Sequence, residues 1–185
     1  MAIAKESPAR QRLYIAGAPG GSSIGPPIQD FIGQQLGRPW TMQFLESKTV
    51  QNVVELFRMP DFAGGIVTMP WKKAIIPYLD EVDDLVTLLG ACNMVVLTPE
   101  GQLKGTNVDW VGIKIPLLQA RPLQGATIGM IYGAGGASRA ALHVLAHELN
   151  RETIYVANRD EQAVEDLLQD AAKDQEQVQA NEGHV

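Results

Sequence analysis

Short apolar runs alternate with helical patterns along most of the chain, which is typical of an α/β protein. Apolar runs that stop at glycine, proline or polar residues predict strands, and apolar positions repeating every three or four residues predict helices. The predicted strands cover residues 13–17, 40–44, 65–68, 93–97, 103–105, 126–132 and 153–157. The predicted helices cover residues 28–36, 50–57, 74–79, 84–90, 110–119, 138–149 and 161–179.

The connections between these elements divide the chain into two parts near residue 122. The stretch 18–27 holds three glycines and three prolines, which predicts a loop. Residues 98–102 form a predicted tight turn that makes the neighbouring strands a hairpin. After residue 122 the order is strand, helix, strand, helix. Strands joined in this way pair in parallel through a right-handed crossover, so we expect strands 126–132 and 153–157 to be parallel.

Composition and charge narrow the class of protein. The 185 residues are 45% hydrophobic and 19% charged, which is ordinary for a globular chain. The net charge is −6, and the sequence has no basic stripe, so a nucleic-acid partner is not expected. The lone Cys92 excludes an internal disulfide and a multi-cysteine metal cluster. The N-terminus lacks a signal-peptide pattern and no apolar run is long enough for a bilayer, so we expect a cytoplasmic protein without a membrane partner.

A glycine-rich turn follows the predicted strand 126–132. The segment GAGGASRA, residues 133–140, opens the next helix, where glycines at Gly133 and Gly135 allow a sharp turn and close approach of a pyrophosphate. The helix N-terminus offers N–H groups to that anion. Ser138 stands at the third glycine position of the dinucleotide-binding pattern. The turn therefore indicates dinucleotide binding, with a purely structural turn as the alternative.

The residues after the strand 153–157 bear on the choice of cofactor. Arg159 suits the 2′-phosphate of NADP through charge-assisted hydrogen bonds, whereas Asp160 would repel that phosphate. NADP is therefore slightly favoured and NAD stays open. The alternative is that Asn158 and Asp160 only cap the acidic helix that follows.

Four segments, in this order, carry a resemblance to one family. They are GAPGGSSIGPP at 17–27, GGIVTMPWK at 64–72, GACN with KGTNVDWVG at 90–93 and 104–112, and GAGGASRA with NRD at 133–140 and 158–160. Through them the chain resembles shikimate dehydrogenase and the quinate/shikimate dehydrogenases. The resemblance implies an NAD(P)-dependent oxidoreductase that interconverts 3-dehydroshikimate and shikimate, or oxidises quinate. Its implied fold is an α/β fold with a substrate-binding domain over 13–121 and a partial Rossmann unit (β-α-β-α) over 122–180, with the active site between them.

The resemblance also implies roles for individual residues. Lys72 and Asp109 correspond to the family's catalytic lysine and aspartate, which suits proton transfer beside a hydride step. Ser23, Thr68 and Asn93 correspond to substrate ligands. The implied cofactor-binding residues are Gly133, Ala134, Gly135, Gly136, Ala137, Asn158 and Arg159. Taken by residue type alone, a lysine is usually a solvated side chain and Asp109 is a natural helix N-cap.

The chain departs from the family pattern in three places. Gly25 stands where the family has a second serine, and Ile66 replaces an asparagine expected to bind substrate. The second half of a complete Rossmann domain, which would hold the nicotinamide, is not found after strand 153–157. The chain is then either part of a longer protein or a shortened paralogue. We expect no useful turnover from these 185 residues, and the alternative function is a catalytically silent protein that binds a shikimate-like metabolite in a regulatory or secondary-metabolic role.

Overall fold

The computed structural model describes residues 12–120 and 125–182, and places side chains up to residue 172. The described residues form two compact units. The first contains residues up to Val82 together with Cys92–Thr106, and the second contains Asp83–Ala91 together with the residues from Asn107 onward. The predicted division into functional domains at residue 122 stays a prediction. Among the described residues no helix has the length and apolar character that crossing a bilayer requires.

The first unit is built on a six-stranded mixed sheet. Its strands are β1 (Arg12–Gly17), β2 (Thr41–Glu46), β3 (Phe62–Val67), β4 (Glu81–Val82), β5 (Met94–Leu97) and β6 (Leu103–Thr106). The spatial order is β2-β1-β3-β5-β6-β4, in which β1 pairs in parallel with β2 and β3, and β5 runs antiparallel to both β3 and β6. Its helices are α1 (Gly25–Gln35), α2 (Val50–Phe57) and the single turn α3 (Trp71–Ala74), followed by a 3₁₀ turn at Ile76–Tyr78.

Aromatic side chains fill the core of the first unit. The rings of Phe57 and Phe62 stack with centroids 4.6 Å apart, and Tyr14 stacks on Phe62 at 6.4 Å. Gly65 lies beneath the Phe57 ring, where an added Cβ would come within 2.5 Å of it. Gly65 therefore leaves room for the ring of Phe57 to lie directly on the sheet.

The expectation of a loop over 18–27 is wrong at its end, because α1 begins at Gly25. Pro26 and Pro27 lie in the first helical turn, where the missing N–H is not needed and the fixed φ suits a helix. The short β4 was not predicted, because two residues are too few to show a period. The predicted helix 74–79 is shorter than expected and divided between α3 and the 3₁₀ turn.

The second unit contains a two-stranded sheet and four helices. Its elements are α4 (Asp84–Leu89), α5 (Asp109–Gln119), β7 (Ile128–Tyr132), α6 (Gly136–His143), β8 (Thr153–Ala157) and α7 (Glu161–Glu182). β7 and β8 are parallel, with Ile128 opposite Thr153, which confirms the expected pairing. The predicted helix 138–149 is instead α6 continued by a π-helical turn over Val144–Glu148.

The two faces of the β7–β8 sheet differ. Ile131 points into the core with Val144 and Leu167, all at most 6% exposed. The other face carries apolar side chains that are at least 59% exposed: Ile128, Met130, Tyr132 and Tyr155. Parallel sheets are normally covered on both faces. The described part of this unit thus leaves one sheet face open to solvent.

Candidate functional site

Two of the predicted substrate ligands, Thr68 and Asn93, lie at one edge of the sheet of the first unit. β1 and β3 are parallel and end at this edge, and the antiparallel β5 begins there. Thr68, just after β3, donates both its N–H, at 2.9 Å, and its Oγ1, at 2.8 Å, to the carbonyl of Ala16. Val67 donates its N–H to the carbonyl of Asn93 at 2.8 Å. Thr68 and the 6% exposed Asn93 are therefore held at the ends of neighbouring strands.

Lys72 is joined to the same edge by the backbone. The Met69–Pro70 peptide bond is cis, and Trp71 donates its N–H to the carbonyl of Thr68 at 2.8 Å. The carbonyl of Lys72 accepts the N–H of Cys92 at 2.8 Å, next to Asn93. Lys72 is half-buried in the turn α3. Lys72 therefore lies on the segment that connects the end of β3 to the start of β5.

Ser23 stands in the loop between β1 and α1. Its Oγ accepts the N–H of Gly25 at 3.0 Å, and the loop is also anchored where Gly20 donates its N–H to Oε1 of Glu46 at 3.1 Å. A Cβ at Gly25 would lie 2.2 Å from Cδ1 of the buried Ile15. The local packing thus matches glycine and not the serine that the family pattern has at this position.

Asp109 belongs to the second unit and is the first residue of α5. Val108 holds the N-cap position, so the alternative in which Asp109 is the N-cap is wrong. The N–H of Asp109 is donated instead to Oδ1 of Asn107 at 2.9 Å. Nδ2 of Asn107 donates to the carbonyl of Ala91 at 2.7 Å, and the side chain is 1% exposed.

Asn107 is the positioning residue that the sequence analysis missed. It lies inside the segment KGTNVDWVG that carried the resemblance, but nothing in its residue type signals burial. Its two hydrogen bonds fix the start of α5, and hence the backbone of Asp109, against the end of the α4 segment. The available signal in the sequence was an asparagine between a predicted strand and a predicted helix, where its side chain can bond to backbone groups.

The glycine-rich turn has a geometry that fits a phosphate. Gly133 has φ of +117°, a conformation that other residues rarely adopt, and it donates its N–H to the carbonyl of Ala157 at 2.8 Å. Gly135 is the N-cap of α6, and nothing lies within 4 Å of the position a Cβ would take. The buried Ser138 carries its Oγ 3.4 Å from the equivalent position at Gly133. The turn therefore leaves free space at the start of an eight-residue helix.

The residues after β8 divide into a cap and an exposed cation. Oδ1 of Asp160 accepts the N–H of Ala163 at 3.3 Å, and Nδ2 of Asn158 donates to the carbonyl of Asp160 at 3.0 Å. Asp160 thus caps α7, as the alternative held, and its carboxylate is engaged in that bond. Arg159 is exposed.

The groups with shifted pKa values lie on other parts of the two units. In the first unit Arg58 donates hydrogen bonds to Asp80 and lowers the pKa of that carboxyl, with the N–H of Leu103 as a second cause. In the second unit Lys114 binds Glu148 and lowers the pKa of its carboxyl. These pairs join elements within each unit and do not include the predicted site residues.

Comparisons with known proteins relate this chain to one family. Residues 15–95 match the shikimate dehydrogenase substrate binding domain. The quinate dehydrogenase of Emericella nidulans is 36% identical over 174 residues, which cover 84% of this chain and 53% of the relative. The pentafunctional AROM polypeptide of Schizosaccharomyces japonicus is 36% identical over 154 residues, covering 80% of this chain and 10% of the relative.

Solved structures show the same likeness. The shikimate dehydrogenase of Aquifex aeolicus matches with a TM-score of 0.76 and 28% identity over 92% of this chain and 62% of its own. A shikimate dehydrogenase solved in complex with NADP+ matches with a TM-score of 0.74 and 28% identity, over 88% of this chain and 56% of its own. The chain thus spans about half the length of the quinate dehydrogenase it matches.

Proposed function

Because the chain belongs to the shikimate dehydrogenase family, we propose that it serves NAD(P)-dependent oxidation and reduction of a CH–OH group in a shikimate-type cyclic hydroxy acid. The substrate class is 3-dehydroshikimate and shikimate, or quinate. The observation that carries the proposal is one sheet edge of the first unit. Thr68 and Asn93 lie there at the ends of neighbouring strands, and the carbonyl of Lys72 accepts the N–H of Cys92, the residue before Asn93. A polyhydroxy carboxylate is bound by hydroxyl, amide and ammonium groups, which are the types of side chain that Thr68, Asn93 and Lys72 carry.

Lys72 and Asp109 are the proposed proton-transfer pair. When the ring ketone is reduced, the Lys72 ammonium gives a proton to the new alkoxide oxygen; on oxidation, the neutral amine removes the hydroxyl proton. Asp109 is the proposed partner that exchanges this proton with the lysine. A nicotinamide held by the second unit would supply or accept the hydride.

The second unit is the proposed cofactor-binding part. Gly133, Ala134, Gly135, Gly136 and Ala137 would hold the pyrophosphate at the start of α6, where the open space at Gly135 supports the assignment. Asn158 and Arg159 would face the adenosine ribose. NADP is slightly favoured over NAD because Arg159 offers a guanidinium to a 2′-phosphate, while Asp160 beside it keeps NAD open.

The first test measures binding and turnover in the 185-residue chain. Shikimate and quinate are titrated calorimetrically, and nicotinamide absorbance is followed with each acid and with NAD or NADP. We expect weak binding without useful turnover, and about tenfold weaker binding in Lys72→Ala, a loss of about 1.4 kcal/mol. Lys73→Ala, the exposed neighbour, is the matched control and should leave affinity unchanged.

The outcomes separate the possible functions. Equal effects of Lys72→Ala and Lys73→Ala would contradict the substrate assignment. Robust turnover that disappears in Lys72→Ala would establish the enzyme and overturn the expectation of inactivity.

A catalytically silent metabolite-binding protein is the second candidate function. It is favoured by the packing at Gly25, which excludes the serine of the family pattern. Binding alone needs no proton transfer between Lys72 and Asp109. An Asp109→Asn variant should then keep its affinity for shikimate. Any longer protein that contains these 185 residues should also show no turnover of shikimate or quinate.

Cofactor choice has its own test. If Arg159 faces a 2′-phosphate, Arg159→Ala should weaken NADP binding about tenfold and NAD binding by less than about twofold. Arg38→Ala, which removes an exposed arginine of the first unit, is the control. An equal loss for NADP and NAD would show that Arg159 is only a surface charge.

A further inference from the structure

The second unit holds a pocket that is separate from the glycine-rich turn and from Asp109. Its volume is about 330 Å³, at the lower end of the range for small-molecule sites. Side chains from α4, α6, the π-helical turn, β8 and α7 line it. The proposed function uses none of these residues.

Most of the pocket wall is apolar. Leucine, isoleucine and alanine side chains provide it, among them Leu88, Leu142, Ala146, Ile154, Leu168 and Ala171. Leu168 is 50% exposed although it belongs to this wall. The wall therefore suits an apolar group the size of an amino-acid side chain, which would remove Leu168 from water.

The polar residues of the wall are two histidines, three charged residues and no others among the residues that line it: Arg139, His143, His147, Arg151 and Glu152. Arg139 also lines the pocket, and its Nη1 lies 2.7 Å from the carboxylate of Asp170 in an ion pair. Arg151 and Glu152, consecutive residues before β8, supply the two remaining fixed charges of the wall, one positive and one negative. Burial and the neighbouring His147 lower the pKa of His143, which favours its neutral ring. The wall therefore offers a cation and an anion together.

The backbone after the π-helical turn places Arg151 and Glu152 at the pocket. Asn150 has φ of +49°, which ends the helical segment. Arg151 then donates its N–H to the carbonyl of Leu145 at 2.8 Å, and Glu152 donates its N–H to the carbonyl of Thr127 at 2.9 Å. These two hydrogen bonds fix the backbones of Arg151 and Glu152, and both residues line the pocket. π-helical turns of this kind are frequent at functional sites.

We propose that this pocket binds a free α-amino acid with an apolar side chain. The carboxylate pairs with the guanidinium of Arg151, which can hold both oxygens, and the ammonium pairs with Glu152. The side chain enters the wall formed by the leucines and alanines. A ligand with only one charge leaves one of the two residues without a counter-charge, and a ligand without a side chain leaves Leu168 exposed.

The test is isothermal titration of the 185-residue chain with L-phenylalanine as the probe. Three compounds each lack one feature: 3-phenylpropionate lacks the ammonium, 2-phenylethylamine lacks the carboxylate, and glycine lacks the side chain. We expect each to bind at least about tenfold more weakly than L-phenylalanine. Shikimate should not compete with L-phenylalanine, so this outcome is independent of the proposed function.

Variants test the assigned residues. Arg151→Gln and Glu152→Gln should each weaken L-phenylalanine binding about tenfold. Ala146→Leu should weaken it by filling the pocket while leaving both charges in place. Arg38→Gln, in the first unit, is the control, and circular dichroism establishes that each variant is folded.

Several results would overturn the proposal. These are no detectable binding of L-phenylalanine, equal binding of 3-phenylpropionate or 2-phenylethylamine, and unchanged affinity in both charge variants. Competition by shikimate would also overturn it.

Discussion

Removing the Asn107 side chain should destabilise the second unit, because this buried amide satisfies two backbone groups. In Asn107→Ala the carbonyl of the buried Ala91 and the N–H of the half-buried Asp109 both lose their partner. An unsatisfied buried polar group costs about 1–3 kcal/mol. Since water can reach the Asp109 end, we expect the free energy of unfolding to fall by about 2–3 kcal/mol, which lowers Tm by roughly 4–12 °C in a chain of this size.

A second variant separates the two hydrogen bonds. Asn107→Asp keeps an oxygen that accepts the Asp109 N–H but places another oxygen against the Ala91 carbonyl, in a contact that is 2.7 Å in the native structure. It should therefore be at least as unstable as Asn107→Ala. Urea unfolding followed by circular dichroism measures both variants, and the exposed Asn52→Ala, expected within about 0.5 kcal/mol of the native chain, is the control. A loss below about 0.5 kcal/mol in Asn107→Ala, or a fully stable Asn107→Asp, would refute this reasoning.

Three further predictions concern packing and pH. Gly25→Ser should cost about 1–3 kcal/mol, because the new side chain meets Ile15, and adding Ile15→Val should recover part of the loss in the same urea assay. Phe57→Ala should cost about 3–5 kcal/mol by emptying the stacked aromatic core, measured as a shift in the urea midpoint. The pKa of His143 is lower in the folded chain, so the unfolded chain binds this proton more readily and stability falls as pH drops below about 6.5. His143→Gln should remove this part of the pH dependence. Urea unfolding at about pH 7.5 and about pH 5.5 measures the effect.

Most of the fold follows from local patterns in the sequence. The helix over 50–57 and the strand over 153–157 have the predicted bounds, because an apolar period and clear end signals coincide there. The start of α1 at Gly25 was missed, since two prolines normally indicate a loop and only the first helical turn accepts them. The π-helical turn after α6 was also missed, because a single turn of five residues is too short to show a period of its own.

The candidate site was only partly predictable for a different reason. Thr68, Lys72 and Asn93 came from a resemblance of motifs, and the sheet topology explains why they lie at one edge. Asn107 and the pocket beside Arg151 depend on residues distant in sequence that meet only after packing. Periodicity carries no signal for such meetings, because it reports which face of an element is buried and not what lies opposite.

The path of the chain through the two units has a consequence for any attempt to separate them. The chain leaves the first unit after Val82, returns at Cys92 and leaves again after Thr106. A single protease cut or a single cloning boundary therefore cannot release either unit whole. A piece that starts at residue 122 would lack α4 and α5, so it would lose Leu88 from its pocket and the Lys114 partner of Glu148. Isolating the second unit requires a piece that starts at Asp83, with residues 92–106 removed and Ala91 joined to Asn107. Such a piece would also show whether this unit can fold without the sheet of the first.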